Sequence, residues 1–307
     1  RYVGHGLVHE ASGLNAYQGK NLDGRIAVMQ LNISGQLKAS VGKAASMRSR
    51  INVAREHGAI GVLFIDPSLP RNKILPTYRP KRTHDLGLPS AIIGTRKASR
   101  KMRRNHRSIR LQTTIIPQNA EAYNVGGYLD LGAEQTIILG AHYDHVGLGY
   151  WGSGKPEAAG EVHNGADDNA SGTAALLELA KGLSKKSPKN NNYLIIHFSG
   201  EELGLLGSKY WLDHPTMQVN FNYMINMDMV GRYDTARKLT VGGYGTSANW
   251  SSILKNISTD LITHYDSAGT GPSDHASFYR KDMPVLFMFT GSHSDYHKST
   301  DDADKIN

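Results

Sequence analysis

The sequence predicts an α/β fold: a mixed, mostly parallel sheet with helices on both faces, joined to a second, smaller α/β module. Three observations predict it. Short runs rich in branched and aromatic residues alternate with longer stretches of helical character. Several of those runs are apolar along their whole length, as strands covered on both faces are. The charge also divides the chain. Residues 1–118 carry 21 Lys and Arg against 5 Asp and Glu, a net +16, whereas residues 119–307 carry 14 against 22, a net −8, which together make the +8 of the 307-residue chain. Opposite balances argue for two modules, placed at 1–117 and 118–307.

In the first module, residues 25–31 (RIAVMQL) read as a strand and residues 43–57 as a helix closed by Gly58. Residues 60–65 (IGVLFI) form a buried strand stopped by Asp66-Pro67. A loop rich in Pro, Arg and Lys (67–89), a strand (90–93) and a basic helix (about 95–105) follow. After Pro117 the rhythm changes. Strands are expected at 122–129, 136–141, 193–198, 222–227, 238–242 and 284–289. Helices are expected at 170–184, 203–213, 246–259 and 274–281, with 185–192 (KKSPKNNN) as a surface turn.

Composition excludes several classes. Hydrophobic residues make up 39% and charged residues 20%, the profile of a soluble protein with a core. No apolar run approaches the roughly 18 residues that cross a bilayer. The chain opens at Arg1 with no visible signal peptide, so a trimmed or mature form of a secreted or periplasmic protein is expected. There is no cysteine, which removes disulfides, thiolate metal sites and cysteine nucleophiles. Any metal must be held by His, Asp and Glu. No Gly-x-Ser-x-Gly elbow, His-Glu-x-x-His helix or glycine-rich phosphate loop is present. The run 96–110 holds eight Lys and Arg without interleaved aromatics. It reads as a solvated face or one that docks on the acidic half, and no nucleic-acid partner is expected.

In an open α/β sheet, ligands bind beyond the carboxyl ends of the strands. After TIILGA come His142, Tyr143, Asp144 and His145; after YLIIHF come Ser199, Gly200, Glu201 and Glu202; after NYMINM comes Asp228; after PVLFMF comes a loop with His293, Asp295, Tyr296 and His297. Asn164 to Asn169 (NGADDN) precedes a helix between the first two of these strands. Five segments thus deliver imidazoles or carboxylates to one sheet edge. Such a sulfur-free set suits a hydrolytic zinc pair sharing one carboxylate. The adjacent Glu201 and Glu202 point apart, so one can bind metal while the other faces a water as general base. Each residue also has a plainer reading. Asp168 could cap a helix, a task for which Asp167 and Asn169 compete. Glu201 and Glu202 could complement a helix dipole. Asp228, framed by apolar residues, would be a costly buried charge without a partner. His145, His163, His275 and His293 read as supporting or loop histidines.

The segments AHYDH, NGADDNASG, FSGEELGLLGS, NMDMVGR and SDYHKSTDDADKIN resemble, in order, the motifs of the co-catalytic di-zinc aminopeptidases, a family that also contains glutamate carboxypeptidases and transferrin-receptor-like proteins. The resemblance implies two zinc ions, one bound by His142 and Asp228, the other by Glu202 and His297, with Asp168 bridging. It implies Glu201 as general base and later acid, Asp144 as the group that orients His142, and Tyr296 as hydrogen-bond donor to the oxyanion. The substrates implied are peptides with a free N-terminus. GRIAVMQL, AREHGAIGVLFID and LPSAIIG resemble a protease-associated domain, a module that shapes access to the cleft in such proteins. Alternatives on the same fold are a carboxypeptidase, for which Arg232 could hold a C-terminal carboxylate, and a one-zinc glutaminyl cyclase. A non-catalytic receptor-like protein is a further alternative, although it should have lost its ligands or its base.

Overall fold

The apolar runs of the sequence become strands. A computed structural model describes residues 1–66, 88–93, 96–103, 110, 120–149, 152–153, 160–186, 188–236 and 238–307, and the chain divides into two units, Arg1–Asn119 and Ala120–Asn307. Residues 67–87 of the loop expected at 67–89 and residues 104–109 of the basic run 96–110 lie outside the described residues.

The first unit contains a small hairpin, β1 (Val8–His9) and β2 (Leu14–Asn15), and a parallel sheet of β3 (Ile26–Gln30), β4 (Gly61–Ile65) and β5 (Ser90–Ile93). Between β3 and β4 run α1 (Gly35–Val41) and α2 (Met47–Glu56), and α3 (Arg96–Arg103) follows β5. Ser34 and Ser46 cap α1 and α2 by accepting from Leu37 N and Ser49 N, which satisfies amides that would otherwise be orphaned. Helix α1 buries only Val41 and lacks a strong apolar stripe, so the sequence does not predict it. Beneath this sheet, the buried Arg50 donates to the carbonyls of His5, Gln30 and Leu31 and lies 4.8 Å from the centre of the Phe64 ring. Burial lowers its pKa to about 10.

The second unit is built on a seven-stranded sheet. Its elements, in chain order, are β6 (Val125–Leu129), β7 (Gln135–His142), α4 (Gly172–Lys186), β8 (Asn192–Phe198), α5 (Leu206–Asp213), β9 (Asn220–Met227), β10 (Leu239–Gly242), α6 (Trp250–Lys255), β11 (Thr263–Tyr265), α7 (His275–Tyr279) and β12 (Val285–Phe289). The strand order is β11-β10-β12-β9-β7-β8-β6. Pairing is parallel throughout except β10 with β12 and β6 with β8. Alternation along β7 shows why both faces are covered. Ile138 packs with Trp211 of α5 and Phe278 of α7, while Ile137, Leu139 and Ala141 pack with Leu176 of α4. No helix among the described residues is long and apolar enough to cross a membrane.

Two elements differ from the expectation. The helix expected at 246–259 is confined to Trp250–Lys255, preceded by a 3-10 turn at Tyr244–Thr246. The flanking Ser, Asn and Thr residues favour turns over helix interior. Strand β11 is only three residues long, and no strand is expected there from the sequence.

Candidate metal centre

Strands β8, β7, β9 and β12 are mutually parallel, so their carboxyl ends share one edge. His142 closes β7, Asp228 follows β9, and Glu201 and Glu202 stand three and four residues beyond the end of β8. The segment Ala166–Ser171, a turn ahead of α4 whose backbone is non-helical at Asp168 and Asn169, adds Asp168. The loop after β12 adds Tyr296 and His297. Asn169, not Asp168, caps α4. Its Oδ1 accepts from Gly172 N and Met229 N, and its Nδ2 donates to the carbonyls of Met227 and His142. The Asp168 carboxylate is thereby free to face the histidines.

The structure brings His142, Asp168, Glu202, Asp228 and His297 together. His142 Nε2 lies 3.4 Å from Asp168 Oδ1 and 3.4 Å from Asp228 Oδ1. His297 Nε2 lies 3.2 Å from Asp168 Oδ2 and 3.2 Å from Glu202 Oε2. Asp168 therefore presents one oxygen to each histidine. The tautomers follow from the other ring nitrogens. His142 Nδ1 is 3.0 Å from the Asp144 carbonyl and His297 Nδ1 is 2.8 Å from the Gly152 carbonyl. A carbonyl only accepts, so both Nδ1 atoms donate and both Nε2 lone pairs point at carboxylates. Such a contact requires a proton or a cation between the atoms.

Electrostatics agrees with this reading. Burial alone would lower the pKa of His142, but the charge of Asp228 and the hydrogen-bonding carboxylates of Asp168 and Asp228 outweigh it and raise the value well above 6.5. For His297 burial is likewise outweighed, by Asp168 and Glu202, and the pKa rises to about 10. Conversely, Asp168 and Glu202 are held below the usual carboxylate range, because contacts with the histidines overcome burial. Asp228 Oδ1 and His145 Nε2 are buried without a hydrogen-bond partner. Among the described residues, no lysine or arginine pairs with any of these carboxylates. A concave set of nitrogen and oxygen donors with orphaned buried atoms fits divalent cations. Among the described residues, His142, Asp168 and Asp228 form one group able to hold an ion, and His145, Asp168 and Glu202 another. His145, expected as a supporting histidine, stands in the second of these groups. Its Nδ1 is 2.9 Å from Glu202 Oε1, and its ring meets His297 edge-on at 5.7 Å.

Around this cluster the supporting residues are fixed by the backbone. Asp144 reaches His142 through its carbonyl, while its carboxylate sits 3.8 Å from His142 Nδ1 and accepts from Glu201 N (3.0 Å) and Glu202 N (3.2 Å). It therefore fixes the glutamate pair as much as the histidine. Asp301 was not singled out from the sequence. It is fully buried, and its Oδ2 accepts from Asp167 N and Asp168 N while Oδ1 pairs with Arg232 Nη2 at 2.5 Å. The other fork of Arg232 binds Asp295 at 2.8 Å. His293 binds Asp167, and His163 binds Ser153 Oγ and the Glu161 carbonyl, so both are loop supports.

Glu201 is 8% exposed and takes part in neither histidine contact. Burial and the like charges of Asp274, Asp228 and Glu202 raise its pKa to about 9, against the opposing pull of His142. Asp274 is itself fully buried, and its pKa is pushed up to about 7, first by burial. Tyr296 stacks on His297 with ring centres 3.9 Å apart and is 43% exposed. Burial and the surrounding carboxylates raise its pKa, so the hydroxyl stays a donor. Glu201, Glu202, Asp168, Asp228, Tyr296 and His297 all line a cavity of about 380 Å³.

Residues 124–307, more than half of the chain, match the sequence profile of peptidase family M28. The chain belongs to that family. This M28 chain is 29% identical over 198 residues to leupeptin-inactivating enzyme 1 of Streptomyces exfoliatus, covering 62% of this chain and 41% of that protein. It is 36% identical over 153 residues to aminopeptidase YwaD of Bacillus subtilis, covering 47% and 29%. The M28 chain thus spans less than half the length of these curated relatives. Among solved structures, a zinc aminopeptidase from Bacillus subtilis superposes with a TM-score of 0.59 at 19% identity, covering 100% of this chain and 70% of that one. An aminopeptidase from Aneurinibacillus sp. strain AM-1 gives 0.53 at 24% identity, covering 100% and 69%. Both share its mixed α/β fold.

Proposed function

We propose that this chain is a zinc-dependent aminopeptidase that releases the first residue of peptides with a free N-terminus. Two zinc ions would be held by His142, Asp168 and Asp228 on one side and by Asp168, Glu202 and His297 on the other. The observation that carries the reading is Asp168, whose two oxygens face two histidine lone pairs with no lysine or arginine among the described residues paired with the cluster. The names of the relatives support the same reading. Bound there, the cations supply Lewis acidity, polarising the scissile carbonyl and acidifying a water.

The protein's own groups supply the remainder. Glu201 is a buried carboxyl beside the cluster, where bound cations would offset the burial and like charges that raise its pKa and leave a carboxylate suited to accept a proton from the attacking water and deliver it to the departing amine. The hydrogen bonds from Glu201 N and Glu202 N to Asp144 hold the two side chains in their divergent directions. Tyr296, kept protonated, donates to the oxygen on which negative charge develops. The charged residues lining the cavity are carboxylates, with no lysine or arginine among the described lining residues, which suits a substrate ammonium. A carboxypeptidase would need a cation for the substrate's C-terminal carboxylate. Arg232 is 7% exposed and committed at both forks to Asp295 and Asp301, so it does not serve.

The test is Glu201→Gln beside the parent, assayed on aminoacyl p-nitroanilides with bound zinc measured in both. Zinc is retained and kcat falls by about 10²–10⁴-fold, the usual worth of a general base. Full turnover in the variant refutes the assigned base. Preference for amino-blocked over free substrates refutes the aminopeptidase reading.

A further inference from the structure

The charge in the cavity farthest across the sheet from Asp228 belongs to neither the metal cluster nor Glu201. It is Asp266, at the end of β11. We infer that Asp266 selects peptides whose first residue is lysine or arginine, an inference that rests on the aminopeptidase reading and names its substrate class.

The sheet register places it. Thr240 and Gly242 of β10 pair with Phe289 and Phe287 of β12. Val241 pairs with Tyr265, so the next step of that register sets Gly242 beside Asp266. Alternate residues share a face. Phe287, Phe289, Thr240 and Asp266 therefore stand on the face that floors the cavity, and all four line it. Asp228 follows β9, so from there to Asp266 the floor crosses three strand spacings, roughly 14 Å at about 4.7–4.9 Å each. The surface between the two carboxylates is largely apolar, with Thr240 as the polar side chain on the intervening strand β10. The rings of Phe287 and Phe289 are stacked 5.6 Å apart, with Met229 beside them. Gly242 keeps the way open, since a Cβ there would touch Phe287 Cβ at 3.3 Å and fill the passage to Asp266.

A substrate whose ammonium sits among the carboxylates at the metal end would run its first side chain over these rings toward Asp266. An aliphatic stem ending in a cation matches that path, because the stem covers apolar surface while the head meets the carboxylate. Leucine would cover the rings and stop short. Glutamate would meet only like charge.

Asp266 is also held in place. Its N–H donates to the Val241 carbonyl (3.0 Å), its carbonyl accepts from Tyr244 N (2.9 Å), and its Oδ1 accepts from Ala268 N (3.0 Å). These bonds pin the loop to β10 and leave Oδ2 for a ligand. Among the described residues no lysine or arginine pairs with it. A fixed carboxylate with a free oxygen at the end of an apolar trough gives selectivity at small cost in ordering.

The experiment measures kcat/KM of the full chain for arginyl, lysyl, leucyl and glutamyl p-nitroanilides, in the parent and in Asp266→Asn. Asparagine keeps an acceptor for Ala268 N, and a thermal melt verifies folding. The arginyl-to-leucyl ratio should fall roughly tenfold, the worth of one charge-assisted contact. The change should lie mainly in KM, as expected for uniform binding. Asp266→Lys should depress the ratio further and raise glutamyl turnover. A ratio unchanged within twofold in folded, active Asp266→Asn overturns the inference, as does a parent that cleaves leucyl but not arginyl substrate. A zinc-loaded parent that cleaves none of the four overturns the aminopeptidase reading, and the inference with it.

Discussion

Replacing Asp301 by asparagine asks whether a residue outside the metal cluster holds that cluster together. Asp301 is fully buried and its carboxylate makes three contacts: Asp167 N at 3.0 Å, Asp168 N at 3.1 Å and Arg232 Nη2 at 2.5 Å. Asparagine keeps the size but turns one acceptor into a donor. Its NH₂ must then face either the guanidinium or the two backbone amides, which are donors already. Removing one partner of a buried ion pair costs about 3–5 kcal/mol. Arg232 retains Asp295, which argues for the lower part of that range. For a unit of this size each kcal/mol moves Tm by about 2–4 °C. A loss of about 3–4 kcal/mol therefore lowers the melting transition by roughly 6–16 °C. The same change frees the backbone of Asp168, so zinc affinity, read by chelator competition, should weaken about 10–100-fold. The double variant Asp301→Asn with Arg232→Met removes the stranded cation. It should recover part of the loss, because Asp295 still has Lys305 at 3.2 Å. A Tm within 2 °C of the parent, together with unchanged zinc affinity, refutes the reasoning.

The raised pKa values of His142 and His297 make zinc uptake a proton exchange. Calorimetry at neutral pH in buffers of different ionisation enthalpy should report proton release on binding, reduced in His297→Ala, and a pH-independent affinity contradicts this. In the zinc-free protein, the His297 contribution is fully present below its unfolded pKa near 6.5 and is lost as pH rises through about 10, so a zinc-free melt that improves across that window contradicts it. For Asp295 the sign is opposite. Contacts with Thr300 and Arg232 depress its pKa, so its contribution is present above the ordinary 3.8 and disappears as pH falls. The melting difference between the parent and Arg232→Met should therefore shrink between pH 6 and pH 3. Asn169→Ala removes the cap of α4 and the bonds tying that turn to β7 and β9. A loss of about 2–4 kcal/mol in urea unfolding is expected, and a loss below 0.5 contradicts the assignment.

What the sequence disclosed and what it withheld divide along one physical line. The sheet was legible because β7, β8, β9 and β12 are apolar runs bounded by polar turns, and because parallel strands put their carboxyl ends on one edge. His142, Glu202, Asp228 and His297 follow strand ends, so topology alone predicts their meeting. Residues whose work depends on contacts between distant segments were not legible. Asp301 acts on a backbone amide 133 residues away, and nothing in STDDAD separates it from Asp302, which instead accepts from Asn164. Nor does spacing decide between His142, at the end of β7, and His145, three residues on, since the direction of each ring is set by the acceptor that its Nδ1 finds. His142 finds the carbonyl of Asp144, whereas His145 Nδ1 faces Glu202 Oε1 at 2.9 Å and its Nε2 lacks a hydrogen-bond partner. That difference makes the pair separable by experiment. If His145 only supports Glu202, His145→Ala should keep both zinc ions and lose less than tenfold in kcat/KM. If it shares the second ion in place of His297, that variant should lose one equivalent of zinc while His297→Ala keeps both.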